Sequence, residues 1–330
     1  MNMQPGFPAC ALRPVRNLSS RLLLDVQRRL YPLSATLVML LLGGSWSVAN
    51  AQKTPSTPIT QCGTLITQPG IYALTQSLQS SSLTVDCIRI KSPGVSLNLA
   101  GFNLTGPGGT NVTAAGVRFL DTAAGVQFAG GGSTIQGFGV GILIAGSGVS
   151  LLGGSGLVVS GNAQQGILVS NASNVVIEEV TSAGNGAAGL EVAQSSGVIV
   201  QNQCTMQGNT GYGLWVHSSS GNQFFGPFAF QNKLSGIYVG ESASGQPRSG
   251  DAKASAPAPA SSQHNVFLGS GVISNTVDGI IIGSGDTLNY IVGTQGQENG
   301  GTDAVDQNGD CTHNTWTQNT FQTRNPACIQ

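Results

Sequence analysis

One short unit, Gly followed by aliphatic, variable and aliphatic residues, returns along this chain at nearly constant spacing. It reads GVRF from Gly116, GILI from Gly141, GILV from Gly166 and GLEV from Gly189. It continues as GLWV from Gly213, GIYV from Gly236 and GIII from Gly279. The steps are 25, 25, 23, 24, 23 and 43 residues. The last is one period plus a low-complexity insert, ESASGQPRSGDAKASAPAPASSQ, at 241–263. Degenerate copies, CIRI from Cys87 and DAVD from Asp303, extend the series at both ends. A fixed period of two dozen residues constrains the fold more than any composition does. Each unit is too small to bury its own apolar face, so successive units must stack as a solenoid.

A second column runs in phase. Asn162, Asn185, Asn209, Asn232 and Asn275 each stand four residues before a repeat Gly, and Asn299 stands four before Asp303. In a stack of parallel strands about 4.8 Å apart, aligned Asn side chains hydrogen-bond from coil to coil and cap a turn whose amides would otherwise lack partners. Within each repeat the apolar residues alternate with a variable one, which is strand periodicity. A further β-like run follows in several coils: NVVIEEV at 174–180, GVIVQNQ at 197–203, NQFFGPF at 222–228 and NVFLGSG at 265–271. Helical patterning is absent from residue 52 onward.

The Asn-x-x-x-Gly-Ile-x-Val unit and its period resemble the right-handed parallel β-helix repeat proteins of the pectin-lyase-like superfamily. The segments CGTLITQPGIYALTQSL and GVSLNLAGFNLTGPG (94–108) are similar to the opening coils of such proteins. The resemblance spans about 60–330. It implies an all-β, single-stranded right-handed parallel β-helix of about nine coils. It does not imply one activity, because the superfamily holds polysaccharide lyases, glycoside hydrolases, uronate epimerases, phage tailspikes, adhesins and non-catalytic periplasmic proteins. The polygalacturonase-like branch carries Asn-Thr-Asp, paired Asp-Asp, Gly-His-Gly and Arg-Ile-Lys motifs. Only Arg89-Ile90-Lys91 is present, in the first coil rather than after the carboxylates, and reads as coincidence. The alginate-epimerase-like Asp-Pro-His-Glu pattern is absent as well.

Residues 1–51 have the make-up of a cleaved signal peptide. Arg13, Arg16, Arg21, Arg28 and Arg29 form a basic region, the apolar run ATLVMLLL follows at 35–42, and Ala49-Asn50-Ala51 supplies small residues before Gln52. The apolar run is short for a membrane span. The expectation is a secreted or periplasmic β-helix domain at 52–330 with no membrane span after cleavage. Residues 52–61 read as a tether and 308–330 as a closing coil. Without 1–51 the chain keeps 8 basic and 13 acidic residues, net −5, and no basic cluster suited to nucleic acid. Cys62, Cys87, Cys204, Cys311 and Cys328 remain. Five thiols allow two bridges and one leftover. Placing one bridge near each end gives Cys62–Cys87 and Cys311–Cys328, with Cys204 free.

Alternation points the second and fourth repeat residues inward and the third outward. The outward column then reads Arg89, Arg118, Leu143, Leu168, Glu191, Trp215, Tyr238, Ile281 and Val305. The next outward position gives Lys91, Leu120, Ala145, Ser170, Ala193, His217, Gly240, Gly283 and Gln307. Charge and aromatics gather here, making Arg89, Lys91, Arg118, Glu191, Trp215, His217 and Tyr238 the candidate ligand-binding residues. Aromatic faces stack on sugars and basic groups favour acidic polymers, whereas the aliphatic members suit a protein partner equally. If the chain is an enzyme, Glu191, His217 and Arg118 are the catalytic candidates. Glu191 and His217 are expected two coils apart, roughly 10 Å or more at strand spacing. Asp278 and Asp303 fall at nearly the same height in consecutive coils. No cofactor is expected. Asp306, Asn308 and Asp310 have the alternate spacing of a calcium loop but also that of an ordinary turn. The leading expectation is a non-catalytic surface module that contacts polysaccharide or protein along the repeat face. The alternatives are a divergent lyase or hydrolase acting on an acidic polysaccharide, and a purely structural adhesin.

Overall fold

The computed structural model describes residues 55–241 and 261–330. The expected signal peptide at 1–51 and nearly all of the insert at 241–263 lie outside the described residues. The rest is a parallel β-solenoid of about ten turns, and no described residue is helical.

The repeat strands stack into one parallel sheet, here called the first sheet. Its eleven strands among the described residues are Thr64–Ile66, Ile88–Ile90, Ala115–Phe119, Val140–Ile144, Ile167–Ser170, Leu190–Ala193, Leu214–His217, Ile237–Val239, Ile280–Ile282, Ala304–Asp306 and Arg324–Asn325. Nine were read from the sequence. The two added at the ends, Thr64–Ile66 and Arg324–Asn325, lack the Gly-aliphatic signature. The expected tether is partly structural too: Thr57–Ile59 pairs with Gly70–Leu74, and Ile59 is buried.

The rest of each coil holds two short runs rather than the single one expected. Ile199–Gln201 is followed by Thr205–Gln207, Gln223–Phe225 by Phe228–Phe230, and Val266–Leu268 by Gly271–Ile273. The two runs merge in Ser150–Ser160, whose register against Val176–Ala183 slips between Leu152 and Leu157. The third run was missed because three residues such as Thr205-Met206-Gln207 bury only Met206 and leave too short an alternation to read.

Inward residues of all the runs fill the lumen. Val117, Phe119, Leu214, Val216, Ile280 and Ile282 are fully buried, and Phe224 stacks on Phe267 with ring centroids 4.7 Å apart. The Asn column forms a continuous ladder. Asn162 Nδ2 donates to Asn185 Oδ1, and the same bond links Asn185 to Asn209, Asn209 to Asn232, Asn232 to Asn275 and Asn275 to Asn299, all at 2.9–3.0 Å. Each accepting oxygen also takes the backbone N–H of the preceding Asn. The ladder crosses the insert unbroken, and Ile237 pairs with Ile280 in normal register. The described coils on either side of 242–260 therefore keep their stacking register. A second ladder, Asn222–Asn265–Asn289–Asn314, opens the second run of each coil.

The two columns of the repeat depend on each other. A Cβ placed on Gly189 would stand 2.7 Å from Asn209 Nδ2 of the next coil. The same clash recurs between Gly141 and Asn162 (2.8 Å), Gly166 and Asn185 (2.6 Å), Gly213 and Asn232 (2.8 Å), and Gly236 and Asn275 (2.7 Å). Glycine is there because the ladder amide of the next coil occupies the space of a side chain.

Candidate functional site

The register of the first sheet places the outward column as expected. Arg89 pairs with Arg118, Leu168 with Glu191, Glu191 with Trp215, Trp215 with Tyr238, and Tyr238 with Ile281. The column is not an open stripe. Trp215 is 3% exposed, Tyr238 8% and Glu191 2%. At 4.8 Å spacing large outer side chains lie on one another, and the turn residue Tyr212 closes over them, its ring 5.7 Å from Trp215 and 5.0 Å from Tyr238. Trp215 Nε1 donates to Gly240 O at 2.9 Å. Tyr212 thus joins the cluster from the turn that precedes the Leu214–His217 strand.

Glu191 and His217 are in contact, which overturns their expected separation. His217 pairs with Ala193, so its strand is one rung from that of Glu191, not two. Two long side chains bridge that diagonal readily. His217 Nε2 lies 3.1 Å from Glu191 Oε1, while Gln165 Nε2 donates to Glu191 Oε2 at 2.7 Å. The imidazole stacks on Trp215 with centroids 4.2 Å apart and planes 25° from parallel. Its Nδ1 is 3.9 Å from Glu241 Oε1, which also accepts the Ser218 hydroxyl. The chain leaves the sheet here through a left-handed residue, Ser218 at φ 48°, as it does at Gln194 and Asn171 in the preceding coils. That corner brings Ser218 to the carboxylate of Glu241 in the next coil.

Beyond Glu241 an open pocket is lined by Tyr238, Glu241, Ser284, Asp286 and Gln307. Burial pushes the Asp286 carboxyl up to about 6, against one lowering bond from the Ser262 N–H, and the Glu241 charge adds to the rise. Burial, then the neighbouring Tyr238, pushes the Tyr212 phenol up to about 12. Tyr238 is raised by burial and by the charges of Asp286 and Glu241. Both phenols therefore stay protonated at neutral pH, and the Tyr238 hydroxyl donates to Glu241 O at 2.7 Å. Gln165, Glu241 and Asp286 were missed from the sequence. The only trace was the pair of glycines, Gly240 and Gly283, in the second outward column.

The basic residues form a separate patch. Arg118 Nε donates to Asp86 Oδ2 at 2.7 Å, and Asp86 Oδ1 accepts the Ala115 N–H. Arg89 Nε is buried without a hydrogen-bond partner among the described residues, and Lys91 is exposed. Leu143 and Leu168 separate this patch from Glu191. Arg118 lies three rungs from Glu191 and four from His217, about 19 Å at strand spacing, which keeps Arg118 from acting on the same atom as His217.

Asp306 and Asp310 have separate commitments. Asp306 is buried and accepts bonds from Asn308, Asn314 and Trp316, while Asp310 takes Thr312 and His313. The Asp310 carboxyl is lowered to about 2 by the Thr312 backbone N–H, then by the His313 and Thr312 side chains. Among the described residues no group of three or more His, Cys, Asp or Glu is placed to hold a metal ion. Asp278 and Asp303 also cap different backbone groups, Thr302 N–H for the first and Gln322 and Thr323 N–H for the second. The disulfides are Cys62–Cys87 and Cys311–Cys328. Cys204 is free and buried, and burial raises its thiol to about 11, so it is inert.

A family model described as "Right handed beta helix region" matches residues 100–321. Among solved structures, the chain is similar to the A-module of the Azotobacter vinelandii mannuronan C-5 epimerase AlgE6, with TM-score 0.58, 12% identity, 81% of this chain covered and 76% of that one. It is similar to the Dettilon tailspike protein, with TM-score 0.50, 15% identity and coverage of 80% and 58%. The periplasmic alginate epimerase AlgG matches with TM-score 0.49, 15% identity and coverage of 80% and 76%. At these identities the likeness is one of fold. No significant match is found among curated protein sequences.

Proposed function

The chain belongs to the right-handed β-helix family, and from that premise we propose that it is an exported module whose first-sheet face contacts a polysaccharide without turning it over. The observation that carries this reading is that its outer-face charges are pre-positioned by buried partners. Asp86 holds Arg118, and Glu191 holds His217. Four ladder steps separate those two side chains, about 19 Å at strand spacing. That span fits an extended polymer better than a small metabolite. The fold it shares with a mannuronan C-5 epimerase module supports a carbohydrate-related reading. Two disulfides suit an oxidising compartment.

The test is calorimetry of the purified chain against a panel of neutral, acidic and amino oligosaccharides, with parallel assays for reducing ends and unsaturated products. Binding without product supports the module, and His217→Ala should weaken binding tenfold or more. A panel with no binding at all removes the glycan reading and leaves an adhesin or protein-binding role.

A second reading is favoured by the 3.1 Å Glu191–His217 contact. A buried carboxylate that orients an imidazole is the arrangement of a general base, as a lyase or hydrolase would need. Product release that disappears in Glu191→Gln would establish it and overturn the non-catalytic proposal.

A further inference from the structure

We infer that the pocket beside His217 takes a protonated amino group, so that the polysaccharide recognised at this end of the face carries free amines. This rests on the glycan-contact reading above and names the substrate class for it. Asp286 is 5% exposed, yet it lines the pocket. Its Oδ1 accepts the Ser262 N–H, while no hydrogen bond reaches its Oδ2 from a described residue. The backbone is cleared to admit that oxygen. A Cβ on Gly240 would stand 2.9 Å from Asp286 Oδ2, and one on Gly283 would stand 2.7 Å from it. Gly240 also has φ 142°, which side chains rarely adopt. Two glycines in adjacent coils therefore make room for a carboxylate that meets no cation among the described residues.

The other walls agree in sign. Glu241 supplies a second carboxylate at the pocket, and its only ion partner among the described residues is the His217 ring at 3.9 Å. Tyr238 presents its ring beside them, with its ζ carbon 3.2 Å from the place a Gly240 Cβ would take. Two carboxylates beside an aromatic face are complementary to an ammonium group through charge and through the ring quadrupole. A calcium ion is less well served, because it seeks six to eight oxygens and no group of three or more acidic, His or Cys ligands forms here among the described residues. Burial raises the Asp286 carboxyl to about 6, and a bound ammonium would relieve that.

The experiment uses the whole disulfide-bonded chain near pH 7. Calorimetry compares a glucosamine oligomer, its N-acetylated counterpart, an oligouronate and calcium chloride alone. The expected result is that the glucosamine oligomer binds at least tenfold tighter than the N-acetylated one. Asp286→Asn and Glu241→Gln should each remove most of that difference, and carbon NMR should show the Asp286 titration moving to lower pH in the complex. Equal binding of the acetylated and free oligomers overturns the amine and leaves the glycan reading standing. Preference for the oligouronate overturns it too. Calcium binding that depends on Asp286, with no oligomer preference, replaces it with a cation site. Failure of every oligomer defeats both readings at once. Asn is isosteric with Asp, and a circular-dichroism melt of Asp286→Asn confirms that the variant is folded.

Discussion

At the scale of single residues, the outer face is governed by a few buried carboxylates. Glu191 fixes His217, Asp86 fixes Arg118, and Asp286 is held against its own ionisation. Asp286 gives a pH prediction with a definite sign. Its folded value, about 6, lies above the ordinary 3.8. The native state therefore binds this proton more tightly than the unfolded chain does. Its contribution favours the native state at acid pH and is lost as pH rises through about 6. Asp286→Asn should leave the melting point little changed at pH 3.5 and raise it at pH 7. The gain is on the order of 1 kcal/mol, because solvent at the pocket mouth screens the charge. Melts at both pH values check this, and a gap that is larger at acid pH would contradict the assignment. None of these three roles was legible in the sequence. Asp86 and Asp286 sit in turns, outside the alternating pattern, and nothing in their spacing marks a partner.

At the scale of the element, one coil fits the next through the coupled Asn and Gly columns. Asn209→Ala removes the acceptor of the Asn185 N–H and side-chain amide and the donors to Ser182 O and Asn232 Oδ1. Leaving those buried groups unpaired should destabilise the fold by about 2–4 kcal/mol. Gly189→Ala should cost about 2–3 kcal/mol, since its Cβ would meet Asn209 Nδ2 at 2.7 Å and Gly213 O at 2.9 Å. In the double variant the amide clash is gone, so denaturant unfolding should show a loss smaller than the sum. Both columns and their period were plain in the sequence, as was the inward set typified by Leu214 and Val216. The second ladder was less visible. Asn222, Asn265, Asn289 and Asn314 each precede a strand, but each of those strands is three residues long with one buried side chain, too little alternation to mark where it begins.

At the scale of the molecule, each coil touches only its neighbours, so stability is lost from the ends. The disulfides stand there. Cys62 and Cys87 join the first two strands of the first sheet across 25 residues, and Cys311 and Cys328 close the last coil across 17. Each closure contributes about 3 kcal/mol on chain-entropy grounds. Reduction should therefore speed hydrogen exchange in 57–105 and 304–330 first. Amides between Asn185 and Asn232 should keep their protection, as mass spectrometry of exchanged peptides would show. Uniform loss of protection would mean that the stack unfolds as one unit. No helix among the described residues is long and apolar enough to cross a membrane.

The sequence by itself determined the architecture: the period, the parallel stacking, the lumen-facing residues, the Asn ladder and both disulfides. It could do so because every coil repeats the same local problem, and a column of identical answers is visible without coordinates. Only the tertiary structure decided the character of the outer face. It buried Trp215 and Tyr238, brought His217 to Glu191, and gathered Glu241 and Asp286 into a pocket that two glycines leave open. Those contacts join side chains 24 or more residues apart through turns that differ from coil to coil. Repetition, which carries the fold, carries no information about the places where it is broken.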